Sequence, residues 1–124
     1  MSTQKLLKNY PKRGEVYVAD LNPSYGREIH KKRPVLIVSN NIINQQSPNL
    51  IMVPFSSIIP HNFSPDMVKV SRFRWLDKTS VILTSEIRSI DKIRLIKKIG
   101  ILSKDKLLEV EESIKLVLGM INLD

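Results

Sequence analysis

Apolar and polar residues alternate along most of this chain with a period of two, and only near its end with a period of three to four. Val16, Val18 and Leu21 alternate roughly with Tyr17, Ala19 and Asp20, which predicts a half-buried strand that Pro23 ends. Residues 35–38 are the unbroken apolar run Val-Leu-Ile-Val, as in a strand buried on both faces. Residues 50–55 make a third strand. Pro54 lies inside it without an N–H to donate, so the pattern predicts an edge or a bulge there. Residues 80–84 and 86–90 read as one long bent strand, 95–102 as the last strand, and 66–74 as a hairpin arm. From Ser103 the period changes: Leu107, Val110, Ile114, Val117 and Ile121 recur every three or four residues, with Ser103 as N-cap and Asp105 in the first turn. Glu111 precedes Lys115 by one turn, completing the pattern of an amphipathic helix of about five turns. Many short strands followed by one helix predict a mainly β fold, a small and strongly bent barrel with the helix packed on it. Residues 1–10 read as a loose basic arm and 11–124 as one domain.

Composition narrows the function classes. The chain has 124 residues, enough to bury a single core without metal or disulfide staples, and it contains no cysteine. That excludes disulfides, thiolate metal sites and cysteine nucleophiles, and it fits a reducing cytoplasm. Near the N-terminus only Leu6 and Leu7 form an apolar pair beside Lys5 and Lys8, far short of a signal-peptide core, and no apolar run approaches membrane-spanning length. The expectation is a soluble cytoplasmic protein with no membrane partner. Net charge is +8, unevenly spread. Residues 1–49 carry 8 basic and 3 acidic side chains, residues 50–102 carry 9 and 4, and residues 103–124 carry 3 and 5. The body of the protein therefore has the sign for a polyanionic partner, whereas the C-terminal helix does not.

The basic residues cluster between the first two strands, where a loop containing Gly26 holds Arg27, His30, Lys31, Lys32 and Arg33. Only two histidines exist, His30 and His61, on separate loops, so a histidine acid/base pair is not expected. Asp20, Glu28, Glu86 and Asp91 lie in different segments without metal-ligand spacing, and no cofactor is called for. RNA supplies its own nucleophile, the ribose 2′-hydroxyl, and needs from a protein alignment and charge stabilisation at phosphorus. A guanidinium does the second well, since its planar fork matches two phosphate oxygens and stays charged. Arg33 is the leading candidate, because Pro34 biases it to extended geometry at the mouth of a buried strand. Tyr25, Phe55 and Trp75 are candidate platforms on which bases could stack, each equally able to be core.

Residues 12–21, Gly26-x-Glu28, Arg33 with the run to Val38, Val53-Pro54-Phe55-Ser56 and residues 87–92 stand in an order and at separations that resemble the MazF/PemK/Kid-type toxins of toxin–antitoxin pairs. The likeness spans about residues 12–121. It implies the SH3-like MazF/CcdB-type barrel, a homodimer, sequence-specific and metal-independent endoribonuclease activity on single-stranded RNA (mRNA) by 2′-hydroxyl attack, and an acidic antitoxin partner. Carried onto this chain, the family's catalytic arginine falls on Arg33 and its hydroxyl partner on Ser56, with the adjacent Ser57 as the alternative. Arg27, Glu28, His30, Lys31, Lys32, Ser57 and Glu86 are the expected RNA-binding residues, and Glu28 and Glu86 could orient Arg33 or read a base. The arginine and aspartate of Kid-type members align with Leu83 and Ser85, so that dyad is missing. The same barrel is shared by CcdB-like gyrase poisons and by non-catalytic nucleic-acid-binding SH3-like modules, which remain the alternatives.

Overall fold

The computed structural model describes residues 9–21 and 32–122. Seven strands form one bent antiparallel sheet: β1 Glu15–Asp20, β2 Lys32–Ile37, β3 Asn49–Ser56, β4 Met67–Val70, β5 Ser80–Leu83, β6 Arg88–Asp91 and β7 Leu95–Ile101. Their order is β4-β5-β3-β2-β1-β7, with β6 pairing the first half of β3. Helix α1 is Asn41–Gln46, and helix α2 is Lys104–Val117. The apolar run of β2 behaves as its pattern predicts. Val35, Leu36 and Ile37 are all fully buried, and alternation sends Leu36 into one core cluster and Val35 and Ile37 into the other. Burial of side chains of this size contributes about 1.5–3 kcal/mol each.

Pro54 is neither on an edge strand nor at a bulge. Its register partner is Val35, and β3 lies inside the sheet. The Val38 N–H donates to the Ile51 carbonyl, which makes that pair a bonded one, so two steps on Leu36 and Val53 are bonded and Val35 and Pro54 are not. The proline nitrogen therefore points away from β2, toward the side where β6 has stopped at Met52 and β5 begins only at Phe55. The sheet bends at this gap, and a proline fits where no ladder bond is required.

The long bent strand expected over residues 80–90 is two strands interrupted by a 3-10 turn, Thr84–Glu86. Thr84 turns its hydroxyl inward there, 2.6 Å from Ser113 of α2, and these hydroxyls reach the carbonyls of Asp66 and Pro65 at 3.0 and 2.7 Å. Helix α2 starts as expected, with Ser103 accepting from the Lys106 N–H, but it ends one turn early. Gly119 takes φ of 75°, and the N–H groups of Gly119 and Met120 close back on the carbonyls of Leu116 and Lys115. Helix α1 has no counterpart in the sequence pattern. Six residues rich in Asn and Gln carry no helical period, and the element is held by the Asn40 cap and by buried Asn44 bonded to Ser39.

The expected hairpin arm is the β4–β5 pair, and its connection carries a second small hairpin. Phe73 and Leu76 exchange both backbone hydrogen bonds, which puts Arg74 and Trp75 at the tip of a tight turn. Trp75 then packs on Gly100 of β7, across the opening between the two ends of the sheet. A Cβ at Gly100 would collide with the carbons of the indole ring, so only glycine fits. Gly100→Ala should destabilise the protein by roughly 1–3 kcal/mol through overpacking. Urea unfolding should show that the loss shrinks when Trp75→Leu is added, whereas additive losses would place the strain elsewhere.

Candidate functional site

The turn over residues 12–15 fixes one side of the site. Gly14 takes φ of 92°, its N–H donates to the Ile37 carbonyl at 2.8 Å, and its own carbonyl accepts from Leu102 at 2.9 Å, so β1, β2 and β7 are tied at one point. Arg13 donates to the Val38 carbonyl and pairs with Glu111 of α2. Glu15 accepts from the Lys12 N–H at 2.8 Å and from the Tyr17 hydroxyl at 3.1 Å, and it pairs with Lys98 of β7 at 2.9 Å. The basic-looking Lys-Arg-Gly-Glu segment thus holds the fold together.

Beyond it, a cleft of about 810 Å³ opens where β2 parts from β3. The β2–β3 register runs Ile37 to Met52, Leu36 to Val53 and Val35 to Pro54. The pairing stops there, and Arg33 and Ser56 each lie two residues beyond the last pair, where the two strands separate. Both line the cleft. There β2 is held by β1, with Ala19 opposite Arg33, while β3 has turned to β5, with Ser56 opposite Val81. Ser56 Oγ accepts from the Ile58 N–H at 3.2 Å, which leaves the hydroxyl proton free to donate outward. The wall carries six cations, Lys32, Arg33, Arg74, Lys78, Lys97 and Lys98, against one carboxylate, Asp77. Among the described residues only Lys98 of these cations forms a salt bridge. Such a concave surface concentrates field and attracts polyanions.

Of the residues expected from sequence, Arg33, Ser56, Ser57 and Lys32 come together in this cleft. Glu86 does not: it is exposed in the 3-10 turn after β5, where the expected strand is interrupted. Arg27, Glu28, His30 and Lys31, with Tyr25, lie outside the described residues. Leu83 and Ser85 do not line the cleft, and the Ser85 hydroxyl donates to Asp66 at 2.7 Å. Phe55 is a core side chain, 2% exposed, whereas half-buried Trp75 meets it edge-on at 6.5 Å and also lines the cleft. Among the described residues no three His, Asp or Glu side chains gather as metal ligands would. Sequence reasoning missed Arg74, Lys78, Lys97 and Lys98. The two lysines of β7 carry no strand alternation, because bulges on either side of the Tyr17–Val18 pairing shift the register against β1.

Residues 12–118 match the family of PemK-like and MazF-like toxins of type II toxin–antitoxin systems. The chain belongs to this family. It is 40% identical over 114 residues to the endoribonuclease MazF of Staphylococcus epidermidis, an alignment covering 91% of this chain and 95% of that one. Among solved structures, MazF from Deinococcus radiodurans superposes with a TM-score of 0.75 at 25% identity, covering 90% of this chain and 99% of that one. An endoribonuclease in complex with its cognate antitoxin, from Mycobacterial species, gives 0.72 at 25% identity, covering 93% and 99%. The fold expected from the strand pattern and the resemblance is thereby borne out as a mainly antiparallel sheet with a C-terminal helix. Among the described residues no helix is long and apolar enough to cross a membrane.

The groups beside the cleft give the protein a pH signature. Burial pushes the Tyr17 hydroxyl up, the Glu15 carboxylate it bonds pushes it further, and it reaches about 12. Burial alone would raise Glu15, but the Lys12 N–H, Lys98 and Tyr17 together outweigh it and leave the carboxyl below its usual value. The raised tyrosine stabilises the fold below pH ~10 and loses that contribution as pH climbs toward 12. The lowered Glu15 stabilises above the ordinary carboxylate range and loses its contribution as pH falls through its folded value. Phenolate absorbance should show a late-titrating tyrosine that vanishes in Tyr17→Phe. If all tyrosines ionise together near ~10, the Glu15–Tyr17 bond is not made in solution.

Proposed function

We propose that this protein is the toxin of a type II pair, and that it cuts single-stranded RNA without a metal ion by directing a 2′-hydroxyl onto the adjacent phosphorus. The observation that carries the reading is that Arg33, near the start of β2, and Ser56, at the end of β3, line one cleft whose wall carries six cations and one carboxylate. Family membership and the name of the Staphylococcus epidermidis relative, an endoribonuclease, support it. Arg33 would grip two non-bridging oxygens as charge builds on them, from a backbone held extended by Pro34 and paired to β1. Ser56, its acceptor lone pair already engaged by Ile58, donates to a phosphate oxygen or orients the attacking hydroxyl, and Ser57 beside it is the alternative donor. Lys32, which lines the cleft, binds the RNA strand together with Arg27, Glu28, His30 and Lys31, whereas Glu86 is exposed in the 3-10 turn and does not line the cleft. Double-stranded RNA hides its base edges, so the substrate is single-stranded.

Arg33 acts mainly in the transition state. Arg33→Ala should therefore lower kcat by about a hundredfold or more in a protein that still folds, with little recovered by Arg33→Lys. Ser56→Ala should lose about tenfold to a hundredfold, and Ser57→Ala much less. Unaltered single-turnover cleavage by folded Arg33→Ala overturns the mechanism.

Cleavage should persist in EDTA and leave a 5′-hydroxyl downstream with a cyclic or 3′-phosphate upstream. RNA carrying 2′-deoxy or 2′-O-methyl at the cut position should resist. Products bearing a 5′-phosphate, or activity lost to the chelator, would mean a different chemistry.

The protein acts in the cytoplasm as a homodimer, residues 11–124 forming one domain, under control of an antitoxin whose acidic disordered segment covers Arg33. Solved relatives in complex with an antitoxin support that partner. RNA and antitoxin should then compete in a binding assay. Both should weaken with salt, the RNA with a slope of about −0.7 per phosphate contacted, while apolar contacts hold the dimer. Simultaneous binding of both ligands would show that they use separate surfaces.

A further inference from the structure

The tight turn at residues 73–76 is built more rigidly than a connecting loop requires. Its backbone is pinned by the reciprocal Phe73–Leu76 bonds at 3.0 and 2.9 Å, and Leu76 is sunk in the core. The Arg72 N–H is held by the Thr79 hydroxyl at 3.0 Å, and Trp75 is wedged on Gly100. The turn presents Arg74, its guanidinium over the Phe73 ring at 5.5 Å, and Lys78 follows on the same segment. Across the cleft, β7 presents Lys97 opposite Val18, next to the Val18–Pro34 pair of β2. Arg74, Lys78 and Lys97 are exposed cleft-lining cations from two separated parts of the chain, and none forms a salt bridge with the described residues. With Asp77 the one carboxylate beside them, these three cations give the cleft wall an excess of positive charge that attracts a polyanion.

We propose that the turn and β7 form an RNA subsite beyond the cut bond, in which Arg74, Lys78 and Lys97 hold the phosphates of flanking nucleotides and the exposed part of the Trp75 indole takes a base. The proposal rests on the endoribonuclease reading and adds where the strand runs after it leaves Arg33 and Ser56. The mix of cations with one aromatic side chain favours RNA over an acidic peptide, because a base has a π-face to offer the indole and an aspartate or glutamate has none. The subsite is sequence-tolerant, since phosphate contacts and stacking carry no base code.

The test compares wild type with Arg74→Gln, Lys78→Gln, Lys97→Gln and the triple variant. Each is checked for an unchanged melting curve and assayed on two RNAs that share one cut site, a short one ending close to the cut and a long one extended on both sides. Each single change should raise KM for the long RNA several-fold, hold kcat, and flatten the slope of log affinity against log salt by about 0.7 for every phosphate the variant no longer neutralises. The short RNA should be affected far less, and Lys97→Glu should exceed Lys97→Gln on the long one. Trp75→Phe should raise KM for the long RNA whatever its sequence. If wild type cuts neither RNA, the endoribonuclease reading fails and the subsite with it. If wild type cuts but the triple variant keeps KM and salt slope on the long RNA, the subsite alone is overturned. A loss confined to binding of an acidic antitoxin peptide overturns it too, and assigns the three cations to protein recognition.

Discussion

Everything proposed for this protein depends on the register of β2 against β3. Side chains on a strand alternate with a period of two, so a slip by one residue would turn Val35 and Ile37 out of one cluster and Leu36 out of the other. It would also turn Arg33 to the opposite face of β2. Two anchors oppose such a slip. The Gly14 N–H binds the Ile37 carbonyl, and the Val38 N–H binds Ile51, so the inner end of β2 is held from both sides. At the outer end no such lock closes the pair: β2 stays with β1, β3 goes to β5, and the cleft is the space left between them. A site made by parting two strands inherits the rigidity of the ladder behind it, which is what a mechanism based on holding a phosphate in line requires.

Residues that look most chemical in the sequence divide on this basis. Arg13 and Glu15, both charged and both in the segment that most strongly suggests the family, are spent on the fold: one ties α2 to the sheet through Glu111, the other ties β7 to the turn through Lys98. Each is partly buried and multiply bonded, so its charge is engaged before any ligand arrives. Arg33 and Ser56 have the opposite character. They sit at strand ends and face open space, and no salt bridge to a described residue occupies the guanidinium. The likeness to a family is therefore carried in part by residues that build the scaffold and only in part by those that would touch RNA.

Much of this architecture is legible in the order of residues alone. The fully buried β2, the Ser103 cap and the terminal helix follow from period and capping. The break at residues 84–86 is not legible, because it is imposed by Thr84 turning inward to Ser113, a partner 29 residues away. Nor is the placement of Pro54. The proline rule concerns a missing donor, and whether the ladder needs that donor depends on where β6 ends and β5 begins. Arg33 and Ser56 stand out because Pro34 and the resemblance mark them. The cleft's other cations do not, since Arg74 and Lys97 come to one cleft from distant parts of the chain that the Trp75–Gly100 contact brings together.

That contact also sets an energetic balance between folding and binding. Seating Trp75 on Gly100 draws the 73–76 turn against β7, and in doing so it brings Arg74 and Lys78 toward Lys97 and Lys98. Only Lys98 has its charge answered from within the described residues, by Glu15. Like charges gathered in excess of counter-charge oppose the compact state, and a polyanion that binds the folded protein removes that opposition as well as adding its own contacts. RNA and an acidic peptide satisfy this demand equally well as charge, but they differ in geometry. Under the proposed function RNA presents a phosphate to the Arg33 fork with a hydroxyl beside it, and a peptide on the same surface would stabilise the protein and block it in a single step. An excess of positive charge around a parted pair of strands thus makes one surface fit for both a substrate and its competitor.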